Sequence, residues 1–337
     1  MQLQPNLAPS TGIRFVTYNL RYDTRPDNVS VTDSLTALPS PLPPPADGYL
    51  PRKAHEEHRW SLRRMRVAEQ VLGGEADVVC VQEALVRQVN DLSELFGTNW
   101  AWVGVGRDDG QEAGEFSAIF YKKSLFQVLS SDYFWLSPTP FVAGSRYPDA
   151  GSVRICTTLR LRHLSHPKRA EFTVMNTHLD ERSNGQRKLA GGSMLLARAK
   201  YESYMTAAPV FVLGDFNSPP EGNDSAAYKI VTGTRSPEPL PQDFAERFRI
   251  PADGVSTSAA FILHDLRATT PRRAVSVNHA TFTGFTAPND TSAWSRIDFV
   301  FAGGEGWQST AYRVVDARSD DGVLASDHRP VFVDIQI

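Results

Sequence analysis

A carboxylate and a carboxamide stand two positions apart in residues 209–220, which read P-V-F-V-L-G-D-F-N-S-P-P. The apolar run 210–213 has the length and the β-branched and aromatic content of a buried strand, and Gly214 and the prolines end it. Asp215 and Asn217 therefore follow a strand end, where a loop anchored on packed structure holds polar groups over a cleft. The alternative is an ordinary turn in which both residues act only as turn formers.

Other polar side chains occupy equivalent places, at or beside predicted strand ends and tens of residues apart. They are Asn19, Glu83, His178, Asp298, Asp327 and His328. A site formed by strand ends along one edge of paired sheets requires this arrangement. Carboxylates and carboxamides without cysteine suit Mg²⁺ or Mn²⁺, which take one or two carboxylates together with substrate phosphate oxygens. Two histidines would then stabilise charge on a transferred phosphoryl group while an aspartate activates the attacking water.

The elements that must position these residues alternate between strand and helix patterns. Strand patterns cover residues 13–20, 77–81, 100–105, 115–121, 127–135, 154–162, 171–176, 210–213, 295–301 and 331–335, with weaker ones at 261–266 and 279–285. Helical periodicity predicts helices over 60–72, 84–95 and 192–205, and short helices around Tyr228 and Phe244. No internal repeat or charge block divides the chain, so we predict a single domain over residues 1–337.

Residues 24–58 are polar and proline-rich and include S-P-L-P-P-P at 40–45. We predict a long loop or partly disordered insertion here, not a linker between domains. The basic run R-W-S-L-R-R-M-R follows at 59–66, and we expect its arginines to form a solvated helix face instead of a nucleic-acid groove. The insertion and the loop 107–114 both emerge beside the site strands, where they would wall and shorten the cleft.

Composition restricts the classes of protein that fit. The chain has 337 residues, 41% of them hydrophobic and 22% charged, as in ordinary soluble globular proteins. A formal net charge of -3 gives no general attraction to nucleic acid or anionic membrane, and only a local basic groove would change that. No apolar run approaches the roughly 18 residues of a membrane span. We expect no membrane association and infer no obligate protein partner.

The two cysteines, Cys80 and Cys156, lie in strand-like runs. We expect both to be buried small hydrophobes and not parts of a disulfide or zinc site. This favours a cytoplasmic location, and secretion with a removed signal stays open as the alternative.

Six motifs, in order, carry a family resemblance. They are Y-N-L-R at 18–21, V-Q-E at 81–83, N-T-H-L-D at 176–180, G-D-F-N-S at 214–218, S-R-I-D-F at 295–299 and S-D-H-R-P at 326–330. With them the chain resembles the endonuclease/exonuclease/phosphatase family over about residues 14–337. The resemblance implies a four-layer α/β sandwich, two mixed or mainly antiparallel sheets face to face with helices outside, and metal-dependent phosphoester hydrolysis. The last two motifs are more similar to the deadenylase-like and exonuclease-like branches than to inositol-polyphosphate phosphatases.

The resemblance also implies the metal ligands. Glu83 would be the principal ligand of Mg²⁺, or of Mn²⁺, with Asn19 beside it. Asp327 would be a second-metal or water-mediated ligand. Taken singly, these residues have structural explanations too, since a buried Asn satisfies backbone groups and Glu83 would cap the following helix.

The catalytic roles that the resemblance implies fall on five residues. Asp215 would orient or deprotonate the water, and Asn217 would hold the phosphate. His178 and His328 would contact the phosphate in the transition state. Asp298 would pair with His328.

Three further residues are weaker candidates for substrate binding. Arg154 would direct a guanidinium at substrate phosphate, or it is an exposed arginine on a strand. Asp180 would contact substrate or only fix its loop, and Glu115 lies at the start of a predicted strand.

The expected substrate is a small phosphorylated metabolite or nucleotide, because acidic residues outnumber basic ones and the predicted insertion narrows the cleft. The alternative is a Mg²⁺-dependent nuclease that acts on RNA or DNA. A third hypothesis is that the chain is a catalytically silent binding module. Loss of a metal-binding carboxylate or of a histidine would have indicated such a module. None of these residues is lost.

Overall fold

Strands and helices alternate through the part of the chain that the computed structural model describes, residues 12–38, 56–166, 170–251, 261–287, 289–320 and 322–337. The strands are β1 (Gly12–Asn19), β2 (Val78–Gln82), β3 (Trp100–Val103), β4 (Ile119–Lys122), β5 (Phe126–Trp135), β6 (Ile155–His163), β7 (Glu171–His178), β8 (Val210–Asp215), β9 (His264–Asp265), β10 (Asp298–Gly303), β11 (Gln308–Val314) and β12 (Val331–Gln336). The α-helices are α1 (Val31–Ala37), α2 (Trp60–Gly73), α3 (Val86–Phe96), α4 (Asn184–Gln186), α5 (Leu195–Thr206), α6 (Ala226–Val231), α7 (Gln242–Arg247) and α8 (Leu266–Thr269). A π-helical segment, Arg187–Met194, joins α4 to α5.

The strands form two six-stranded sheets, in the orders β11-β12-β1-β2-β4-β3 and β5-β6-β7-β8-β10-β9. Apolar side chains of both sheets share one buried core, in which Phe15 of β1 packs on Phe211 of β8 with ring centroids 4.8 Å apart. Helices α2 and α3 cover the outer face of the first sheet, and α5, α6 and α7 cover the second. The predicted four-layer α/β sandwich is therefore confirmed. A single domain over the whole chain stays a prediction.

Each sheet contains one parallel pair at its centre, β1–β2 in the first sheet and β7–β8 in the second. The other pairings between these strands are antiparallel. Asn19, the last residue of β1, donates a hydrogen bond of 3.0 Å to Asp215, the last residue of β8. The carboxyl ends of both parallel pairs therefore meet at one edge of the sandwich.

An amide pair joins the two sheets beneath this edge. The Nε2 of Gln82, on β2, donates to Oδ1 of Asn176, on β7, at 2.7 Å. Asn176 Nδ2 in turn donates to the carbonyls of Val81 and Ala118 at 2.9 and 2.8 Å. Both amides are fully buried, so a satisfied polar network fixes the sheets relative to each other inside an otherwise apolar interface.

The ends of two predicted strands differ in the structure. Strand β8 continues through Gly214 to Asp215 instead of stopping at residue 213, because Gly214 takes a φ of +144° that keeps it paired with Thr177 of β7. Strand β10 begins at Asp298, so this carboxylate lies at the strand's start and opposite Asp215, not inside the strand. Both aspartates therefore stand at the edge where the parallel pairs end.

Replacing Gly214 with alanine is expected to destabilise the fold by about 3 kcal/mol or more. An added Cβ would lie 1.9 Å from the carbonyl oxygen of Thr177, and the backbone conformation already disfavours a side chain. Urea unfolding measures the loss. Gly97→Ala is the matched control, since Gly97 has a φ of +83° but nothing within 4 Å of the added atom. Equal losses in the two variants would rule out the steric cause.

The predicted insertion contains regular structure, so the loop prediction is wrong for Val31–Ala37, which forms α1. Ser30 and Asp33 start this helix with a capping box: the Ser30 Oγ accepts from Asp33 N at 3.0 Å, and the Asp33 carboxylate accepts from Ser30 N at 3.0 Å. The proline-rich run 40–45 lies outside the described residues.

The expected solvated arginine face on α2 is also wrong for two of its members. Arg63 and Arg64 are completely buried. Arg64 forms an ion pair with Asp91 of α3 at 2.8 Å, and Arg63 is directed at backbone carbonyls. Arg59, with 59% of its side chain exposed, fits the prediction. Burial follows because neighbouring segments supply acceptors for these guanidinium groups.

Cys80 and Cys156 are buried and free, as predicted. In the described ranges, no helix combines the length and the apolar composition that crossing a bilayer requires.

Candidate active site

A cavity of about 810 Å³ opens at the edge where the parallel pairs end. The predicted site residues that line it are Glu83, Glu115, Arg154, His178, Asp215, Asn217, Asp327 and His328. Asn19 and Asp298 lie buried behind this lining, Asn19 hydrogen-bonded to Glu83 and Asp215 and Asp298 to His328. The sheets thus bring together residues that are up to about 300 positions apart in the sequence, in a cavity of the size that small-molecule ligands occupy.

Glu83 follows β2 in an unusual backbone conformation, with a φ of +61°. This conformation, which costs energy for a residue other than glycine, turns the side chain towards the end of β1. There the Glu83 carboxylate accepts from Asn19 Nδ2 at 2.9 Å and from the Tyr22 N–H at 3.3 Å. Asn19 Nδ2 also donates to Asp215 at 3.0 Å, so one amide links the carboxylates of the two sheets.

Glu83 and Asp327 offer carboxylate oxygens, and Asn19 offers an amide oxygen that also accepts from the Arg21 N–H at 3.0 Å. These are the kinds of ligand that a hard divalent cation requires. Burial raises the pKa of Asp327, with His328 opposing the shift and Glu83 adding to it. In the described part of the chain, Arg21 is the one cation in ion-pair range of Glu83, with Nη1 at 4.0 Å. The Glu83 and Asp327 carboxylates repel each other within one cleft, and a divalent cation would offset this repulsion.

A second donor set lies nearby. Asp215, Asp298 and His328 each place one ligand atom within 4.8 Å of the others, and all three are buried. In this set the His328 ring is already paired, because its Nδ1 lies 2.9 Å from Asp298 Oδ2. The geometry is therefore that of a carboxylate-oriented histidine, whose Nε2 faces Asp215 Oδ2 at 3.6 Å.

The two histidines have opposite electrostatic surroundings. Burial lowers the pKa of His328, but the neighbouring carboxylates, Asp298 foremost, outweigh burial and raise it to about 10. For His178, burial and the positive charges of Arg154 and Arg107 all lower the pKa. A charged ring and a neutral ring thus face the same cleft, on either side of Asp215.

Asn217 and His178 form a unit on the second sheet. Asn217 Nδ2 lies 3.1 Å from His178 Nε2 and donates to the Leu179 carbonyl at 2.9 Å. The Asn217 N–H donates to Asp215 Oδ1 at 3.0 Å, which holds the loop against the strand end. Asn217 also has a positive φ of +44°. The strained turn after β8 therefore aims its amide into the cleft.

Asp215 stands at the centre of this arrangement. Its Oδ2 accepts from Asn19 and lies 3.5 Å from His178 Nε2. Burial and the nearby Asp298 carboxylate raise the pKa of Asp215 to about 7. A carboxylate in these surroundings can exchange a proton near neutral pH.

The weaker candidates have distinct positions. Arg154 is buried, which excludes the exposed strand arginine, and it pairs with Asp180 at 3.4 Å and with Glu181. The Asp180 carboxylate accepts backbone N–H groups at Gly151, Ser152, Arg182 and Ser183, so it fixes two loops behind the cleft wall. Glu115 lines the cavity, paired with Arg107, and its Oε2 lies 3.9 Å from His178 Nδ1.

Sequence reasoning missed several residues of the cavity wall. Among them are Arg21, Tyr22, Arg107, Arg182 and Phe282. Arg21 lies inside the Y-N-L-R motif, and Arg107 begins the loop that was predicted to border the cleft. The sequence therefore contained a local indication that both residues lie at the site. Phe282, whose ring lies 4.9 Å from that of His328, belongs to a weakly patterned segment and carried none.

The cleft places oxygen ligands suited to a divalent cation beside two histidines and an aspartate, a set of groups that can support phosphoester hydrolysis. The sequence model of the Endonuclease/Exonuclease/phosphatase family matches residues 16–328, and the chain belongs to this family. Members of this family include metal-dependent phosphoesterases, the class that the motifs implied.

Similar proteins of known sequence or structure support membership of this family. Nocturnin of Mus musculus is 23% identical over 206 residues, which cover 55% of this chain and 45% of nocturnin, so the match spans less than half of that relative. The match agrees with the branch of the family that the motifs predicted. A solved endonuclease/exonuclease/phosphatase of Bacteroides vulgatus has a TM-score of 0.70 and 27% identity and covers 97% of this chain and 99% of its own. A mannosyl-6-phosphatase of Bacteroides thetaiotaomicron has the same fold, with a TM-score of 0.68 and 23% identity, covering 96% of this chain and 100% of its own.

Proposed function

We propose that this enzyme hydrolyses a small phosphorylated metabolite or nucleotide by attack of water on phosphorus, with Mg²⁺ as its metal. The observation that carries the proposal is the charge of the cavity wall. Its acidic residues are Glu83, Glu115, Glu181, Asp215, Asp224 and Asp327, and its positively charged residues are Arg21, Arg107, Arg154, Arg182 and His328. A groove for a polynucleotide needs basic side chains that follow several phosphates, and this wall has more acids than bases.

The dimensions of the cleft support the same substrate class. Its volume of about 810 Å³ suits one compact ligand. The mannosyl-6-phosphatase, which is 23% identical and has the same fold, supports a sugar phosphate or a comparable ester as the proposed substrate.

Each residue has a role in the proposed reaction. Asp215 accepts a proton from the attacking water, as its position between Asn19 and the two histidines allows. The new bond joins the water oxygen to phosphorus and the ester P–O bond breaks, so that the leaving oxygen keeps the electron pair of that bond and departs as an alcohol after taking a proton from solvent. Asn217 and His178 hold the non-bridging phosphate oxygens from one side, and His328, oriented by Asp298, donates from the other.

The metal would be held by Glu83 and Asn19, with Asp327 as a further ligand, directly or through water. Mg²⁺ at this place would supply a Lewis acid that neutralises charge developing on the phosphoryl and leaving-group oxygens. The oxygen-only donor set supports Mg²⁺ over softer metals, with Mn²⁺ as a working substitute.

A panel of phosphate esters with and without Mg²⁺ tests the proposal. We expect phosphate release from sugar monophosphates or nucleotides in Mg²⁺, no release in EDTA, and loss of activity in Asp215→Ala. Labelled single-stranded RNA and DNA are incubated in parallel. Metal-dependent shortening of these strands, absent in Asp215→Ala and without phosphate release from small esters, would overturn the preferred substrate.

The nuclease alternative keeps one observation in its favour. Tyr22 and Phe282, both half-buried, present aromatic rings at the cavity wall, where a base could stack. A nucleotide monoester would use the same rings, so the panel includes nucleoside monophosphates alongside sugar phosphates.

A further inference from the structure

Arg63 of α2 lies completely buried beneath the cleft, and each of its guanidinium nitrogens donates to backbone carbonyls. Nε donates to His58 O at 2.9 Å, Nη1 to Leu20 O at 2.6 Å and Ala325 O at 2.8 Å, and Nη2 to Arg21 O at 2.9 Å and Tyr22 O at 3.5 Å. A guanidinium has five N–H donors, so this one has an acceptor for each.

These carbonyls belong to the two loops that carry the proposed metal ligands. Leu20 follows Asn19 directly, and Ala325 stands two positions before Asp327. The loops are more than 300 positions apart in the sequence and come from opposite ends of the chain. A single Arg63 Nη1 atom joins them, with hydrogen bonds of 2.6 and 2.8 Å.

A second tie connects the same loops. The Ser326 hydroxyl, next to Asp327, donates to the carbonyl of Asn19 at 2.7 Å. Ser326 Oγ also lies 3.2 Å from Asp327 Oδ1. The distance between Asn19 and Asp327 is therefore set by buried hydrogen bonds that contact neither the metal nor the substrate.

We propose that Arg63, assisted by Ser326, is a positioning residue that sets the separation of Asn19 and Asp327 and thereby the affinity for the divalent metal. The inference rests on the proposed function, because that assigns the metal to Glu83, Asn19 and Asp327. Outer residues that orient metal ligands commonly change metal affinity about 10- to 100-fold when replaced. Lysine keeps the charge of Arg63 but offers three donors on one nitrogen, so it cannot reach all of these carbonyls at once.

The test compares the full-length wild type with Arg63→Lys by titration with Mn²⁺, followed through the EPR signal of free Mn²⁺. We expect Mn²⁺ binding about tenfold weaker in Arg63→Lys, at a temperature where both proteins are folded by circular dichroism. The rise in Tm caused by Mn²⁺ should shrink in the same variant, because weaker binding stabilises less. Arg59→Lys is the matched control: it lies in the same basic run, with 59% of its side chain exposed, and should bind Mn²⁺ as wild type does.

The outcomes separate this inference from the proposed function. A folded Arg63→Lys that binds Mn²⁺ like wild type overturns the inference and leaves the metal assignment intact. Wild type that binds no Mn²⁺, or a Glu83→Ala variant that binds it undiminished, overturns the metal assignment and the inference with it. If Arg63→Lys does not fold, Ser326→Ala decides: weaker Mn²⁺ binding supports the positioning role, and unchanged binding overturns it.

Discussion

Replacing Glu83 with alanine is expected to lower turnover by about 10³-fold or more without unfolding the chain. The side chain lies at the cavity wall, where its carboxylate accepts from Asn19 and the Tyr22 N–H and lies 4.0 Å from Arg21 Nη1, so its loss leaves the core intact. A metal contributes several kcal/mol to charge stabilisation in phosphoryl transfer, and about 4 kcal/mol corresponds to 10³ in rate. Calorimetric titration with Mg²⁺ should show binding in the wild type and none in the variant.

The control for this prediction is Glu94→Ala, which removes an exposed glutamate from α3. Its turnover and Mg²⁺ binding should match those of the wild type. Full activity of the wild type in EDTA, or unchanged Mg²⁺ binding by Glu83→Ala, would show that Glu83 is not the principal ligand.

Asp298→Asn is expected to lower kcat by roughly 10²-fold or more while KM changes little. Asp298 Oδ2 lies 2.9 Å from His328 Nδ1 and holds the ring with its Nε2 towards Asp215. Asparagine preserves the size of the side chain but loses the charge that orients and polarises the ring. Because the contact with phosphate strengthens in the transition state, the loss falls on kcat.

The Asp298 N–H donates to Thr281 Oγ1 at 3.0 Å, and the substitution leaves this backbone contact in place. Because asparagine breaks the buried ion pair with His328, Asp298→Asn should nonetheless unfold at a lower temperature than wild type, and kcat is compared at a temperature where circular dichroism shows both proteins folded. Asp243→Asn, at an exposed position in α7, controls for the loss of one negative charge. An effect of Asp298→Asn confined to KM would argue for substrate binding and against a role in the transition state.

The strand ends that carry chemistry could be predicted because their signals are local. The apolar runs before Asn19, Glu83, His178 and Asp215 are short and almost entirely buried, so polar residues beside their ends were visible in the sequence. The contacts that bring these strand ends together, however, form between residues far apart in the sequence. Asn19 bonds to residues 64 and 196 positions away, and the two-sheet sandwich in which these contacts form was implied by the family resemblance and not by periodicity.

The burial of arginines could not be predicted from their own surroundings. Arg63 and Arg154 look like solvent-facing residues on a helix and a strand, because their acceptors are supplied by segments that are distant in the sequence or lie on other loops. Gly214 likewise resembled a strand terminator, since the close approach of the Thr177 carbonyl exists only after β7 and β8 have paired. In each case the decisive partner comes from tertiary structure.

The amide pair between Gln82 and Asn176 bears on how this enzyme would lose activity. The cleft is divided between two sheets, and the apolar contact between them resists separation but has little directionality. Sliding by a single residue would displace one half of the cleft by about 3.3 Å, more than a proton transfer or a metal site tolerates. The buried hydrogen bond of 2.7 Å is directional and works against such sliding. Loss of this hydrogen bond should therefore allow two otherwise intact halves to misalign, so that activity is lost before either sheet unfolds.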